Sequence, residues 1–274
     1  MINIFDFNKK KAAGEKITMV TCYDYTSALI CDKTSVDTIL VGDSLSMTMH
    51  GHPTTVQATI DVMAMHTAAV ARGAKSKFIV GDLPFLSYRK SLTENVNAVQ
   101  ALMQAGAHAV KLEGASGNTG FIQHLADSGV PVMGHIGLTP QFVHLLGGYH
   151  VQGKSEESAK RLIEEALALQ EAGCFALVLE CVPSDLAATI TKELKIATIG
   201  IGAGPDTDGQ VLVFQDLLGL NTEFKPKFVK RYLNGAELFV EAIEEYNEEV
   251  RRGAFPDADH SFGAKKMAKA SQRS

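Results

Sequence analysis

One punctuation recurs along the chain: a helix-forming run ends on glycine, and an apolar stretch follows within a few residues. It occurs at Arg72-Gly73-Ala74, Ala105-Gly106-Ala107, Ser128-Gly129-Val130 and Ala172-Gly173-Cys174. Glycine reaches the left-handed conformation that stops a helix. The stretches that follow, Phe78–Val80, Ala109–Leu112, Val130–Met133 and Phe175–Leu179, read as strands buried on both faces. Ile17–Tyr23, Thr38–Ser44, Ile196–Ile201 and Gln210–Asp216 bring the number to eight. Strands separated by helices run parallel, because each parallel connection needs a crossover of helix length. Eight such units in 274 residues predict an α/β fold, a (βα)8 barrel, which takes roughly 250 residues. An open, doubly wound sheet is the alternative that the pattern leaves.

Around this repeat, residues 1–15 read as a short helical lead-in and 225–252 as a C-terminal amphipathic helix. Thr59 is placed to cap a helix, Ser91-Leu-Thr-Glu94 fits a capping box, and Ser155 and Ser184 stand at two more helix starts. No linker divides the chain, so 1–262 is expected to form a single barrel domain. Residues 263–274 are expected to be a disordered basic tail.

Composition removes several classes of function. The net charge is −5, which leaves no basic footprint for nucleic acid. No apolar run approaches the roughly 18–20 residues of a membrane span, and the first residues lack the basic-then-apolar order of a signal peptide. A cytoplasmic enzyme with no nucleic-acid or membrane partner is the expectation. The four cysteines, Cys22, Cys31, Cys174 and Cys181, show no C-x-x-C spacing and are expected to be reduced, buried thiols.

Chemistry is expected where the strands end. Thr38-Ile-Leu-Val-Gly-Asp-Ser44 runs four apolar-strand residues into a glycine, an acid and a hydroxyl, and strands ending on Asp82, Glu113 and Glu180 repeat the device. In a parallel barrel these ends share one face, where catalytic groups from several strands meet. Lys111 and Glu113 lie on the same side of their strand, and His135, in Gly134-His-Ile-Gly137, ends the fifth. A single acid at a strand end is ordinarily a helix cap or a solvated charge. Four acids with a lysine and a histidine call for a cation or shared protons to offset their repulsion. A hard divalent ion, Mg²⁺, suits such oxygen donors. His50-Gly-His52 has the spacing of a metal pair but sits in a Gly/Pro loop, so a role without metal is favoured. Gly200-Ile-Gly-Ala-Gly204 lacks the Lys and Ser/Thr of a phosphate loop, and a close-packed turn explains it as well. The glycine-rich connection 137–153 is a candidate lid or binding loop.

The ordered set Val41-Gly-Asp-Ser44 with Gly51-His52, Asp82-Leu-Pro-Phe85, Val110-Lys-Leu-Glu-Gly114, Gly134-His-Ile-Gly-Leu-Thr-Pro-Gln141, Gly147-Gly-Tyr149, Val151-Gln-Gly153, Leu179-Glu-Cys-Val-Pro183 and Ile199-Gly-Ile-Gly-Ala-Gly204 closely resembles the ketopantoate hydroxymethyltransferase (3-methyl-2-oxobutanoate hydroxymethyltransferase) family of pantothenate biosynthesis. The likeness runs from about Lys16 to Phe262. It implies a barrel that uses Mg²⁺, forms a homo-oligomer, commonly a homodecamer, and takes 5,10-methylenetetrahydrofolate as co-substrate. By this resemblance Asp43 and Asp82 ligate the metal, and Glu113 supports it directly or through a water. Asp43, Ser44, Asp82 and Lys111 hold the keto acid, and Glu180 is the catalytic proton acceptor. Ser46 stands where the family commonly has glycine. The alternatives are a related Mg²⁺ barrel that cleaves C–C or C–P bonds of 2-oxo acids, whose Lys-Lys-Cys-Gly-His-type loop is missing here, and a non-catalytic oligomeric barrel.

Overall fold

The computed structural model describes residues 1–262. The expected basic tail, 263–274, lies outside the described residues. The chain runs α1 (Ile4–Ala13), β1 (Ile17–Thr21), α2 (Tyr25–Asp32), β2 (Thr38–Val41), α3 (Leu45–Thr48), α4 (Ile60–Gly73), β3 (Phe78–Asp82), α5 (Leu92–Gln104), β4 (Ala109–Glu113), α6 (Thr119–Asp127), β5 (Val132–Gly137), α7 (Val143–Leu146), α8 (Glu156–Glu171), β6 (Ala176–Glu180), α9 (Ser184–Glu193), β7 (Ala197–Ile201), β8 (Gly209–Leu212), α10 (Phe214–Leu217) and α11 (Gly235–Arg252). Every strand pairs in parallel with its sequence neighbours, and β8 closes on β1, so the sheet is a complete barrel. No helix of the described residues is long and apolar enough to cross a membrane.

Alternation along the strands divides the apolar residues into two layers. Ile39, Val41, Ile79, Val110, Leu112, Leu177 and Leu179 face outward and pack under the helices. Leu40, Phe78, Val80, Ala109, Met133, Ala176, Val178, Ala197, Ile199 and Val211 fill the barrel interior. Phe7 of α1 joins the interior set. Its ring sits edge-on to Phe78 at 5.8 Å and to Phe175 at 5.1 Å, at the strands' N-terminal ends. The lead-in helix is therefore a plug. It is held by the Asn3–Asp6 capping box and by Lys11, whose Nζ lies 2.7 Å from Asp208 Oδ2. With the bottom closed by apolar side chains, the charged groups of the interior gather at the opposite end, while Thr38 near the bottom donates its hydroxyl to Phe78 O.

Several boundaries differ from those read in the sequence, each for a local reason. Gly73 ends α4 without adopting a left-handed conformation; it is needed because a Cβ there would come within 2.7 Å of Ala28 Cβ and of Tyr25 O. Gly106, Gly129 and Gly173 do take positive φ. Ser184 begins α9 but makes no cap, Pro183 preceding it as N-cap. The eighth strand stops at Leu212 because Phe214–Leu217 turns into α10, with Phe214 N donating to Thr21 Oγ1. The last helix starts at Gly235 rather than near 225. Pro226 disfavours helix in the residue before it, and Gly235 N is tied to Leu218 O. The cysteines are free; Cys22, Cys31 and Cys174 are buried and Cys181 is partly exposed.

Candidate active site

Strand register brings the strand-end side chains together. Asp82 pairs with Lys111 and Glu113 pairs with His135. Residues paired in register point the same way, and a step of two keeps the face, so Asp82, Lys111, Glu113 and His135 all enter the top of the interior. Lys111 Nζ lies 2.9 Å from Asp82 Oδ1 and 3.8 Å from Glu113 Oε1. His135 Nδ1 lies 3.3 Å from Glu113 Oε1, and its Nε2 lies 3.3 Å from Glu180 Oε2. Glu180 pairs with Gly137, one layer nearer the mouth, and keeps partial solvent exposure. Gly137, at φ 94°, has no room for a side chain, since a Cβ would overlap Glu180 O. The residue after Glu180, Cys181, holds φ at 46°, a strained left-handed value for a residue with a Cβ.

Asp43 reaches the same place from just beyond β2. Its backbone N donates to Asp82 Oδ2 at 3.2 Å. Gln141 Nε2 donates to Asp43 Oδ2 at 2.9 Å, and Gln141 N donates to Glu113 Oε2 at 3.1 Å. Ser44 lies next in the chain, its Oγ 2.8 Å from the Tyr23 hydroxyl. All the residues expected at the site therefore meet around one mouth. Sequence reasoning passed over three of its members: Gln141, Tyr88, whose hydroxyl bonds Gln141 Oε1 at 2.7 Å, and Tyr23. Gln141 had a visible signal, its place at the end of a Thr-Pro-Gln run leaving β5.

Charge is unevenly compensated. Lys111 is buried, which opposes its charge, yet Asp82, Glu113 and Asp43 around it raise its pKa. His135 is likewise opposed by burial and by Lys111, whose Nζ lies 3.3 Å from its Nδ1, but Glu113 and Glu180 carry it up to about 9. Burial also opposes the Glu113 charge, and contacts with His135, Lys111 and Gln141 N still hold its carboxyl below the ordinary value. The surplus falls on Asp43 and Asp82. Burial raises both, and for Asp43 the charges of Asp82 and Glu113 add to it. Asp82 Oδ1, Glu113 Oε1 and His135 Nε2 are buried and have ion-pair neighbours but no aligned hydrogen bond.

This donor set fits a hard cation. Asp43 and Asp82 offer carboxylate oxygens with incomplete partners, and Mg²⁺ is typically held by one or two carboxylates with waters completing its shell. Among the described residues no three His, Cys, Asp or Glu side chains converge as one cage. Glu113 is turned aside, one oxygen on Gln141 N and the other toward Lys111 and His135. The His50-x-His52 pair does not act together either: His50 Nε2 lies 3.0 Å from His66 Nε2, and His66 Nδ1 faces Tyr23 O. In the glycine run after β7, a Cβ at Gly202 would reach Phe228 at 2.8 Å, and one at Gly204 would overlap Ser184. Packing accounts for those glycines.

The connection 137–153 leads from β5 through α7 toward α8 along the mouth. Gln152 N is hydrogen-bonded to Cys181 O at 2.9 Å, which pins its far end beside Glu180. Tyr149, half-buried, has its hydroxyl 3.7 Å from Met47 Sδ, and burial together with Asp43, Glu180 and Glu113 raises its pKa.

The arrangement can be set beside known proteins. The model of the family described as ketopantoate hydroxymethyltransferase matches residues 1–258. A 3-methyl-2-oxobutanoate hydroxymethyltransferase of Bdellovibrio bacteriovorus is 58% identical over 262 residues, 96% of this chain and 100% of that protein. One of Francisella tularensis subsp. tularensis is 56% identical over 262 residues, 96% and 99% of the two chains. Among solved structures, phosphonopyruvate hydrolase in complex with oxalate and Mg²⁺ aligns with a TM-score of 0.62 at 13% identity, covering 97% of this chain and 93% of that one. A 2,3-dimethylmalate lyase of the PEP mutase/isocitrate lyase superfamily aligns at 0.56 and 13%, covering 96% and 93%. At such identity these structures share the fold. The sequence matches go further, and the chain belongs to the ketopantoate hydroxymethyltransferase family.

Proposed function

We propose that this barrel transfers a hydroxymethyl group from 5,10-methylenetetrahydrofolate to 3-methyl-2-oxobutanoate, giving 2-dehydropantoate and tetrahydrofolate, with Mg²⁺ held by Asp43 and Asp82. The observation that carries the reading is the surplus of buried carboxylate at Asp43 and Asp82 beside a fully engaged Lys111. A divalent cation there supplies Lewis acidity toward the oxygens of a 2-oxo acid. The oxalate and Mg²⁺ in phosphonopyruvate hydrolase, a protein of the same fold, are consistent with it.

The residues divide the work. Asp43, Ser44, Asp82 and Lys111 hold the keto acid, Ser44 by its hydroxyl and Lys111 by positive charge near the oxygen that becomes negative as C3 loses its proton. Glu180, at the solvent side of the cluster, accepts that proton. His135 orients Glu180 through its Nε2 and spaces it from Glu113. Glu113 would support the cation, directly or through a water. C3 then bonds to the folate's methylene carbon as one of that carbon's two C–N bonds breaks. A water replaces the second nitrogen and supplies the hydroxyl oxygen, and the protons from C3 and from the water pass to the two folate nitrogens, so that tetrahydrofolate leaves. The connection 137–153, with Tyr149, shapes the space where the two substrates meet.

Self-association belongs to the same reading. One side of α11 leaves Leu238, Phe239, Ile243, Tyr246 and Val250 exposed. An apolar face of this kind supports a subunit interface, and the family resemblance supports a homodecamer. The proposed activity is tested by following tetrahydrofolate release with the keto acid and Mg²⁺ present or withheld. Release that needs both is the expected result; release indifferent to the keto acid would contradict it.

A further inference from the structure

The side chain of Gln141 is buried and its hydrogen-bonding capacity is almost entirely used. Its Nε2 donates to Asp43 Oδ2 and to Leu83 O, each at 2.9 Å. Its Oε1 accepts from the Tyr88 hydroxyl at 2.7 Å. That hydroxyl is itself fixed, accepting from Glu113 N at 3.3 Å. The acceptors Asp43 Oδ2 and Leu83 O set which end of the amide faces Asp43, because a flipped amide would turn its oxygen toward a carboxylate and a carbonyl and strand both, and the Tyr88 hydroxyl then holds the amide oxygen. The backbone of the same residue takes up Glu113 Oε2. One residue from the loop after β5 thus gathers groups at the ends of β2, β3 and β4. Thr139-Pro140 precedes it in a tight turn, and the proline ring fixes the backbone approach.

We infer that Gln141 is the positioning residue for the metal site: it occupies Asp43 Oδ2 and thereby directs Asp43 Oδ1 at the cation, with Leu83 O and the Tyr88 hydroxyl holding the amide in place. The inference rests on the reading that Asp43 and Asp82 hold Mg²⁺. The chemistry is that of a partner behind a ligand. A carboxylate free to rotate about its Cα–Cβ and Cβ–Cγ bonds presents a lone pair to the ion for only part of the time. A donor on one oxygen removes that freedom in advance of binding, and it also offsets part of the repulsion from Asp82 and Glu113. Glu113 is positioned by the backbone of Gln141, not by its side chain, so substitution of the side chain separates the two effects.

The test is direct binding of Mn²⁺, as a Mg²⁺ surrogate, to the metal-free oligomer of the wild type and of Gln141→Leu, Gln141→Asn and Tyr88→Phe, followed by electron paramagnetic resonance or calorimetry. Loss of a group that holds a metal ligand typically weakens binding by about 10- to 100-fold. That range is expected for Gln141→Leu, with a smaller loss for Tyr88→Phe. Raising Mg²⁺ is expected to restore most of the turnover of Gln141→Leu, which a merely misfolded variant would not show. Gln141→Asn, which keeps an amide but shortens its reach, serves if the leucine variant does not fold, and it is expected to weaken binding as well. Wild type that binds Mn²⁺ beside Gln141 variants that bind equally well would overturn the inference alone. Wild type that takes up no Mn²⁺ would overturn the metal reading and the inference with it.

Discussion

His135 Nε2 lies 3.3 Å from Glu180 Oε2, although the two residues are not partners in the sheet. His135 pairs with Val178, and Glu180 pairs with Gly137 one layer higher. The imidazole therefore bridges its own layer, which Glu113 shares, to Glu180 one layer nearer the mouth. A charged His135 stabilises the fold through both carboxylates. Its pKa rises from an ordinary value near 6.5 to about 9 on folding. A raised pKa contributes stability that is complete below the unfolded value and is lost as pH climbs through the folded one. Unfolding free energy of the metal-free protein is expected to fall between about pH 6.5 and 9, by at most roughly 3 kcal/mol. His135→Gln should flatten that slope in denaturant titrations at each pH; an equal slope in the variant would remove His135 as its source.

Lys111 compensates several acids at once. Replacing it by methionine keeps the stem but strips the charge from beside Asp82 and Glu113. Breaking a buried pair by removing one partner costs about 3–5 kcal/mol. Lys111→Met is expected to lose stability on that scale and to recover part of it at lower pH, as Asp82 and Asp43 take up protons. Thermal denaturation at pH 5 and pH 8 reads the difference.

Phe7 separates stability from chemistry. It plugs the end of the barrel away from the acids, against Phe78 and Phe175. Phe7→Ala opens a cavity in a close-packed layer, for which losses of about 3–5 kcal/mol are usual. The expectation is a markedly lower melting temperature with kcat per folded molecule within about threefold of wild type, since the rings that Phe7 packs against lie at the strand ends opposite the acids. Parallel melting and initial-rate measurements below the transition would check it.

The barrel was legible because it is written locally. Glycine stops, helix caps and short apolar runs each depend on a few neighbouring residues, and eight repeats left little else to build. The strand-end acids were legible for the same reason, since alternation puts Lys111 and Glu113 on one face without knowledge of the rest. Tyr88 and Phe7 were not, and for Gln141 only its place in the Thr-Pro-Gln run was legible, not its partners. Gln141 meets Asp43 across 98 positions and Tyr88 across 53, and nothing local marks those pairs. The late start of α11 escaped for the opposite reason. Its amphipathic pattern continues upstream, but the tertiary bond from Gly235 N to Leu218 O sets where the helix begins.

The division between binding and proton transfer is the centre of the account: Asp43 and Asp82 hold, and Glu180 takes the C3 proton. The most direct measurement is exchange of the C3 proton of 3-methyl-2-oxobutanoate into D₂O, followed by NMR with Mg²⁺ and without folate. Glu180→Gln keeps the side chain's size and its place beside His135 while removing the base. General-base groups contribute about 10²- to 10⁴-fold, and exchange is expected to slow by that much while keto-acid and metal binding stay near wild type. Exchange at the wild-type rate in Glu180→Gln would contradict the assignment.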